Sequence, residues 1–203
     1  MKSGWYLRVL KCTVMSGWRQ KRRIMRRYDL TANMYDSRYQ NEQEEKYDAA
    51  LGCISTHGVA VLDVGCGTGL LFDQIAESAE IVVGVDISKR LLVLARARAQ
   101  QFRDVHIVQA DADHLPFDSS FFGVVFAFTI LQNIPVPSRT LSEMADVAKQ
   151  GARIAVTALK KVFSPKDFEG LLVRAGLSPA SIIDNEGISC YVAISLNRKN
   201  AVI

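Results

Sequence analysis

The first 28 residues lack any acidic side chain, although they contain nine lysine and arginine residues. The rest of the chain has sixteen basic and twenty-one acidic residues, so the excess of positive charge lies in one segment. No apolar run approaches the roughly 18 residues of a membrane span, which argues against a membrane-spanning protein. The four cysteines show no Cys-x-x-Cys spacing, so the sequence predicts neither a zinc site nor a disulfide framework, and we expect no bound metal.

The basic segment is densest at Arg19–Arg27, which reads Arg-Gln-Lys-Arg-Arg-Ile-Met-Arg-Arg. Such a block can neutralise nucleic-acid phosphates or dock on anionic lipid. It is also compatible with an organellar transit peptide, or with a solvated leader of little functional weight. We predict a basic leader over residues 1–27, which need not be ordered, and a single domain over residues 28–203. A nucleic-acid partner for the leader stays open as an alternative.

A glycine-rich segment, Val-Leu-Asp-Val-Gly-Cys-Gly-Thr-Gly-Leu-Leu over residues 61–71, is the most informative stretch of the chain. The apolar run over residues 59–64 predicts a buried strand that carries Asp63 near its end. Glycines at 65, 67 and 69 permit a sharp turn and the close approach of a ligand, and a helix N-terminus with free N–H groups follows. Leu70 stands where a dinucleotide-binding turn has its third glycine, which argues against NAD or FAD. We interpret Cys66 as a small packing residue.

Acids also end the next two predicted strands. Residues 81–85 are apolar and lead to Asp86, which is 21 residues after Gly65, and residues 105–110 lead to Asp111. In open parallel sheets, an acid about 20 residues after the glycine turn binds ribose hydroxyls at the tip of the neighbouring strand. The sequence therefore predicts three acidic strand tips along one crevice.

Strands and helices alternate along the rest of the chain. Strands are predicted over residues 59–64, 81–86, 105–110, 121–128 and 153–159, and helices over 28–51, 70–80, 89–102, 136–148 and 165–175. Two final strands, over residues 181–185 and 190–196, are close enough for a hairpin and must then be antiparallel. We predict an α/β fold with a doubly wound, mainly parallel seven-stranded sheet, and we expect the reversed strand at its edge.

These motifs together resemble the class I S-adenosylmethionine-dependent methyltransferases, and most of all the small-molecule type of ubiquinone and menaquinone biosynthesis. The similarity runs from about residue 28 to residue 196 and implies a Rossmann-like methyltransferase fold. The residues that carry it are Tyr28-Asp-x-x-Ala-x-x-Tyr-Asp36, the glycine turn, Val85-Asp-Ile-Ser88 and Asp111-Ala-Asp-His-Leu-Pro-Phe117.

The resemblance implies S-adenosyl-L-methionine as the cofactor. Asp63 and the glycine turn would receive its methionine end, Asp86 its ribose hydroxyls, and Asp111 its adenine amino group. Asp113 stays an alternative to Asp111. The predicted cofactor-binding residues are Asp63, Gly65, Cys66, Gly67, Gly69, Asp86, Ile87, Asp111, Ala112 and Phe128.

The fourth predicted strand ends Phe128-Thr-Ile-Leu, without the Asn/Asp-Pro-Pro-Tyr/Phe motif of DNA and RNA amine methyltransferases. We therefore expect a cytoplasmic methyltransferase with a small-molecule acceptor. Tyr35, His114 and Asn133 are weak catalytic candidates, and Tyr28 and Tyr35 either cover the cofactor or fasten their helix to the core. Two other hypotheses stay open: an RNA or protein methyltransferase that docks through its basic arm, and a non-catalytic cofactor-binding protein.

Overall fold

The computed structural model describes residues 3–198, with side chains for residues 17–32 and 34–198. Seven strands in this part of the chain form one sheet: β1 Ala60–Val64, β2 Ile81–Asp86, β3 Val105–Gln109, β4 Phe122–Ala127, β5 Ala148–Leu159, β6 Leu177–Ile183 and β7 Cys190–Asn197. The helices described with them are α1 Ser3–Thr31, α2 Tyr35–Leu51, α3 Phe72–Ile75, α4 Lys89–Ala99, α5 Pro137–Val147 and α6 Pro165–Arg174. The predicted α/β class is confirmed.

The sheet has the strand order β3-β2-β1-β4-β5-β7-β6. Strands β1 to β5 pair in parallel, and β7 is antiparallel to both β5 and β6. The antiparallel hairpin is confirmed, but its reversed strand is not at the edge, as we expected from the sequence. The edge position belongs to β6, which contains Pro179. Proline has no N–H for a ladder bond and is tolerated at an edge, whereas β7 is buried along almost its whole length.

The core lies on both faces of the sheet. All five residues of β1 are buried, as expected for a strand that is covered on both sides. On one face, Leu62 packs in a cluster with residues of α5 and α6, and on the other face Val61 packs with residues of α2 and α4. The sheet is therefore a rigid support for the loops at its carboxyl edge.

The helix predicted over residues 70–80 is much shorter in the structure, where α3 covers only Phe72–Ile75. The Glu80 N–H donates to the Val59 carbonyl at 3.0 Å, and the Gly58 N–H donates to the Ser78 carbonyl at 2.9 Å. The backbone of residues 78–80 is therefore bonded to the segment before β1 and cannot continue the helix.

The predicted boundary between leader and domain falls inside α1, which runs from Ser3 to Thr31. The backbone of this segment is helical from Ser3 onward, and Lys21, Ile24 and Tyr28 line a cavity of the domain, so the leader boundary at residue 27 stays a prediction. Residues 1 and 2 lie outside the described part of the chain. Among residues 3–198 we find no helix with the length and apolar character that crossing a bilayer requires.

Candidate functional site at the carboxyl edge of the sheet

The glycine turn leaves β1 and is tied to the neighbouring strand. Gly65, Gly67 and Gly69 all have positive φ angles, of 79°, 57° and 82°. The N–H groups of Gly65 and Cys66 both donate to the Val85 carbonyl, at 2.7 and 3.0 Å. A Cβ at position 69 would lie 2.4 Å from the Phe72 ring. Glycine is therefore required at position 69 by both conformation and space.

Asp86, the last residue of β2, organises the turn from the other side. Its Oδ2 accepts from the Gly67 N–H at 3.1 Å, and its Oδ1 accepts from the Ser88 N–H at 2.7 Å. Burial raises the pKa of Asp86, and the backbone N–H groups of Ser88, Gly67 and Ile87 oppose part of that rise. Each carboxylate oxygen keeps a lone pair beyond these bonds, so Asp86 can accept two further hydrogen bonds from a ligand. Ser88 also caps α4, as its sequence position predicts for an N-cap residue, by accepting from the Leu91 N–H.

Asp63 lies behind the turn rather than on the wall of the crevice. It is buried in the middle of the sheet, with 3% exposure. Burial, with a smaller contribution from repulsion by Asp86, raises its pKa to about 8. A cation bound in front of the turn would lower this pKa and favour the ionised form of Asp63.

Asp111 and Asp113 are both held by Lys21 of α1. The Lys21 Nζ lies 2.6 and 2.8 Å from the two oxygens of Asp111, and it also forms an ion pair with Asp113. Asp111 lines the cavity, whereas Asp113 turns to the hydroxyl of Thr140 and does not. The structure therefore favours Asp111 as the carboxylate that a ligand meets.

Thr129 follows β4 and has a φ angle of 60°, which is rare for a β-branched residue. Its N–H donates to the Thr157 hydroxyl at 2.6 Å, and its carbonyl accepts from the Asn133 amide at 3.1 Å. Its hydroxyl accepts from the Lys46 ammonium at 3.1 Å, and the Lys46 side chain is fully buried. These bonds hold Thr129 in a strained conformation on the cavity wall, a feature that clusters at functional sites.

Two tyrosines from the N-terminal helices cover this end of the crevice. The rings of Tyr28 and Tyr35 lie 6.1 Å apart, and the Tyr28 hydroxyl accepts from the Asn133 amide at 3.0 Å. Burial raises the pKa of the Tyr35 phenol above its usual value, so this group stays protonated and can donate a hydrogen bond. Both tyrosines line the cavity, which agrees with the covering role, and they also hold α1 and α2 to the domain.

These groups surround a cavity of about 710 Å³, measured out to its open mouth, at the carboxyl ends of β1 to β4. The enclosed part of this space is only about 90 Å³, and most of its walls are apolar, as in small-molecule sites. Predicted residues that line it are Tyr35, Gly65, Gly67, Asp86, Ile87, Asp111, Ala112, Phe128 and Asn133. A cluster of three or more His, Cys, Asp or Glu side chains suited to a metal ion is absent from the described residues.

Four predicted site residues do not line the cavity: Asp63, Cys66, Gly69 and His114. The first three lie behind the turn surface that a ligand would touch. Burial raises the pKa of the Cys66 thiol well above its usual value, which agrees with a packing role for this residue. His114 is exposed and lies against Arg139, with ring nitrogen and guanidinium 2.9 Å apart.

Sequence analysis missed Lys21, Ile24 and Thr129 as cavity residues. The spacing i, i+3, i+7 of Lys21, Ile24 and Tyr28 is the signal that could have indicated one inward face of a helix. No comparable pattern marks Thr129. Its position depends on hydrogen bonds from Gln43 and Lys46, which lie 86 and 83 positions earlier in the chain.

Comparison with known sequences relates this site to one family. Residues 62–156 match the sequence model of a methyltransferase domain, and the match runs from the middle of β1 to within β5. The ubiquinone biosynthesis O-methyltransferase of Coxiella burnetii is 32% identical over 111 residues, which is 54% of this chain and 47% of that protein. The demethylmenaquinone methyltransferase of Tropheryma whipplei is 36% identical over 101 residues, which is 50% of this chain and 42% of that protein. The chain therefore spans about half the length of the curated relatives it matches.

A solved structure supports the same fold. A SAM-dependent methyltransferase from Aquifex aeolicus superposes with a TM-score of 0.74 over 83% of this chain and 98% of that one, at 16% sequence identity. Because the identity is low, this likeness concerns the arrangement of the sheet and its helices alone.

Proposed function

We propose that this chain, whose residues 62–156 match the sequence model of a methyltransferase domain, transfers a methyl group from S-adenosylmethionine to a small-molecule acceptor. The observation that carries the proposal is the meeting of the glycine turn, Asp86 and Asp111 around one apolar cavity at the carboxyl edge of the sheet. Ligands of open α/β sheets bind at this edge.

The residues present fit this cofactor. Asp86 has free lone pairs for two ribose hydroxyls, and its backbone partner Gly67 belongs to the turn that would receive the methionine end. Ile87 offers an apolar surface to the adenine ring, and Asp111 with the Ala112 N–H offers an acceptor and a donor to its edge. Asp63 places a carboxyl group with a raised pKa behind the turn, where a cationic ligand would favour its ionisation.

Bound S-adenosylmethionine supplies a methyl group that is activated by its attachment to a sulfonium. The chain's own contribution is to hold an acceptor in line with that group and to exclude water, which can be worth roughly 7–11 kcal/mol. Phe128, Ile130 and Ile134 form the apolar side of the acceptor region, and Thr129 and Asn133 supply its polar groups. The protonated phenol of Tyr35 is a hydrogen-bond donor there and not a base.

No strong general base faces the acceptor region among the described residues that line the cavity. We therefore infer an acceptor that is nucleophilic by itself, such as an amine or an acidic hydroxyl on a ring. The names of the quinone-biosynthesis relatives, an O-methyltransferase and a demethylmenaquinone methyltransferase, agree with a small ring compound. A cytoplasmic location stays a prediction.

An RNA or protein acceptor is the second hypothesis, and a non-catalytic cofactor-binding role is the third. The missing Asn/Asp-Pro-Pro-Tyr/Phe motif after β4 weighs against a nucleic-acid amine. The intact glycine turn and the two acidic strand tips weigh against loss of the cofactor.

Incubation with cofactor labelled in its methyl group separates these hypotheses. The chain is mixed with a cell extract, which is then divided into small organic molecules, RNA and protein. We expect label in small molecules that chromatography separates from the unreacted cofactor, and no label in those molecules with an Asp86→Ala variant. Label in RNA or protein alone would overturn the proposed acceptor class, and cofactor binding without any transfer would favour the non-catalytic role.

A further inference from the structure

The two faces of α1 have different surroundings over its described side chains. Lys21, Ile24 and Tyr28 face inward and line the cavity. Five arginines face solvent, and we call this set the arginine face: Arg19, Arg22, Arg23, Arg26 and Arg27. One helix thus separates the cavity from a surface of concentrated positive charge.

The arginine face is not neutralised by the domain beneath it. Within the part of the chain that the structure describes, no carboxylate forms an ion pair with any of its arginines. Arg27 alone among them has a described side-chain partner, since it lies over the Tyr28 ring and reaches the Asn133 amide oxygen at 3.4 Å. The domain beyond residue 28 has more acids than bases, so the excess of positive charge lies mainly in this helix. Uncompensated charge of this kind attracts an extended anionic surface.

Exposed apolar side chains flank the arginine face. Trp18 precedes it with 45% exposure, and Leu30 and Met34 follow it with 79% and 45% exposure. Next to Trp18, Gly17 packs against Pro135, which lies beside the exposed Val136. A basic helix surface combined with exposed Trp and Leu side chains is typical of a segment that lies at a bilayer interface.

We propose that the arginine face docks on the surface of an anionic lipid bilayer. Docking brings Trp18, Leu30 and Met34 to the headgroup layer. Lipid fits better than RNA for two reasons. Leu30 and Met34 have no hydrogen-bonding group for a base edge or a phosphate, and the nine residues from 19 to 27 rise only about 12 Å, too short for a basic track along a nucleic-acid strand. Docking does not depend on the proposed reaction.

The test is flotation of the full-length chain with vesicles of phosphatidylcholine alone and of phosphatidylcholine with one third phosphatidylglycerol. We expect binding to the anionic vesicles alone, weakened by salt. The triple variant Arg22→Gln, Arg23→Gln and Arg26→Gln should bind roughly a hundredfold more weakly. The control triple variant is Arg103→Gln, Lys149→Gln and Lys166→Gln, which makes the same charge change at exposed positions outside α1.

The control variant should bind like the parent, and both variants should melt at the parent's temperature, because all six side chains are exposed. Equal loss in the two variants would overturn the proposal, since net charge and not the arginine face would then explain binding. Absence of parent binding to anionic vesicles would also overturn it. A uridine oligonucleotide that displaces the chain from the vesicles and binds more tightly at 0.15 M salt would make RNA the partner instead.

Discussion

Replacing Asp86 with alanine tests the ribose contact, on which the proposed cofactor site depends. In the structure the carboxylate is half-buried, and each oxygen already accepts one backbone N–H while keeping capacity for a ribose hydroxyl. Hydrogen bonds to a charged acceptor contribute about 1.5–3 kcal/mol each, so the loss of two amounts to about 3–6 kcal/mol. The dissociation constant should rise at least about a hundredfold, which abolishes measurable binding of a micromolar ligand.

The assay is calorimetric titration with S-adenosylhomocysteine, because the product lacks a transferable methyl group. Asp86→Asn is the matched variant, since its amide has nearly the same size. Its single carbonyl oxygen can accept from the Gly67 N–H or the Ser88 N–H but not from both in the present geometry, so it should also lose affinity. Thermal melting of both variants identifies any loss that comes from unfolding. Affinity within twofold of the parent for a folded Asp86→Ala variant would refute the reasoning.

Three further predictions concern the stability of the fold and the absence of His114 from the cavity wall. Because burial raises the pKa of Asp63 to about 8, the folded state keeps a proton that the unfolded state releases above about pH 4. The free energy of unfolding should therefore fall as pH rises from 4 to 8, by up to about 1.4 kcal/mol per pH unit. Urea titrations of Asp63→Asn should show a flatter dependence of this free energy on pH. The same pH dependence in the variant and the parent would contradict the raised pKa of Asp63. Gly69→Ala should lower the melting temperature more than Gly151→Ala. Both glycines have a positive φ angle, but only a Cβ at position 69 would meet the Phe72 ring. Equal effects of the two substitutions would count against this clash. His114→Ala should leave cofactor affinity within twofold, and a larger loss would return this histidine to the site.

The acidic strand tips could be predicted from sequence because local signals determine them. A buried apolar strand that ends in Asp86 about 20 residues after a glycine turn leaves little freedom for the carboxylate, and the structure places it beside Gly67. Asp63 shows the limit of that reasoning. Strand position predicts that it is near the turn, but whether its carboxyl group faces the cavity depends on packing from both faces of the sheet.

The contribution of α1 could not be predicted from composition. A run of basic residues without acids has the pattern of a solvated leader, and the inward position of Lys21 exists only because two carboxylates, 90 and 92 residues later, meet it. The position of β7 between β5 and the edge strand β6 likewise depends on the pairing of the whole sheet. A hairpin sequence specifies that two strands are antiparallel, but it does not specify which of them lies at the edge.

Side-by-side calorimetric titration of the unmodified chain with S-adenosylhomocysteine and NAD tests the central claim most directly. Asp86 could bind the ribose of either ligand, but Leu70 in place of a third glycine argues against NAD. We predict that it binds with a dissociation constant in the low-micromolar range, roughly −8 kcal/mol, and that NAD gives no measurable heat. Tighter binding of NAD, or no binding of S-adenosylhomocysteine by the folded chain, would contradict the proposed cofactor site.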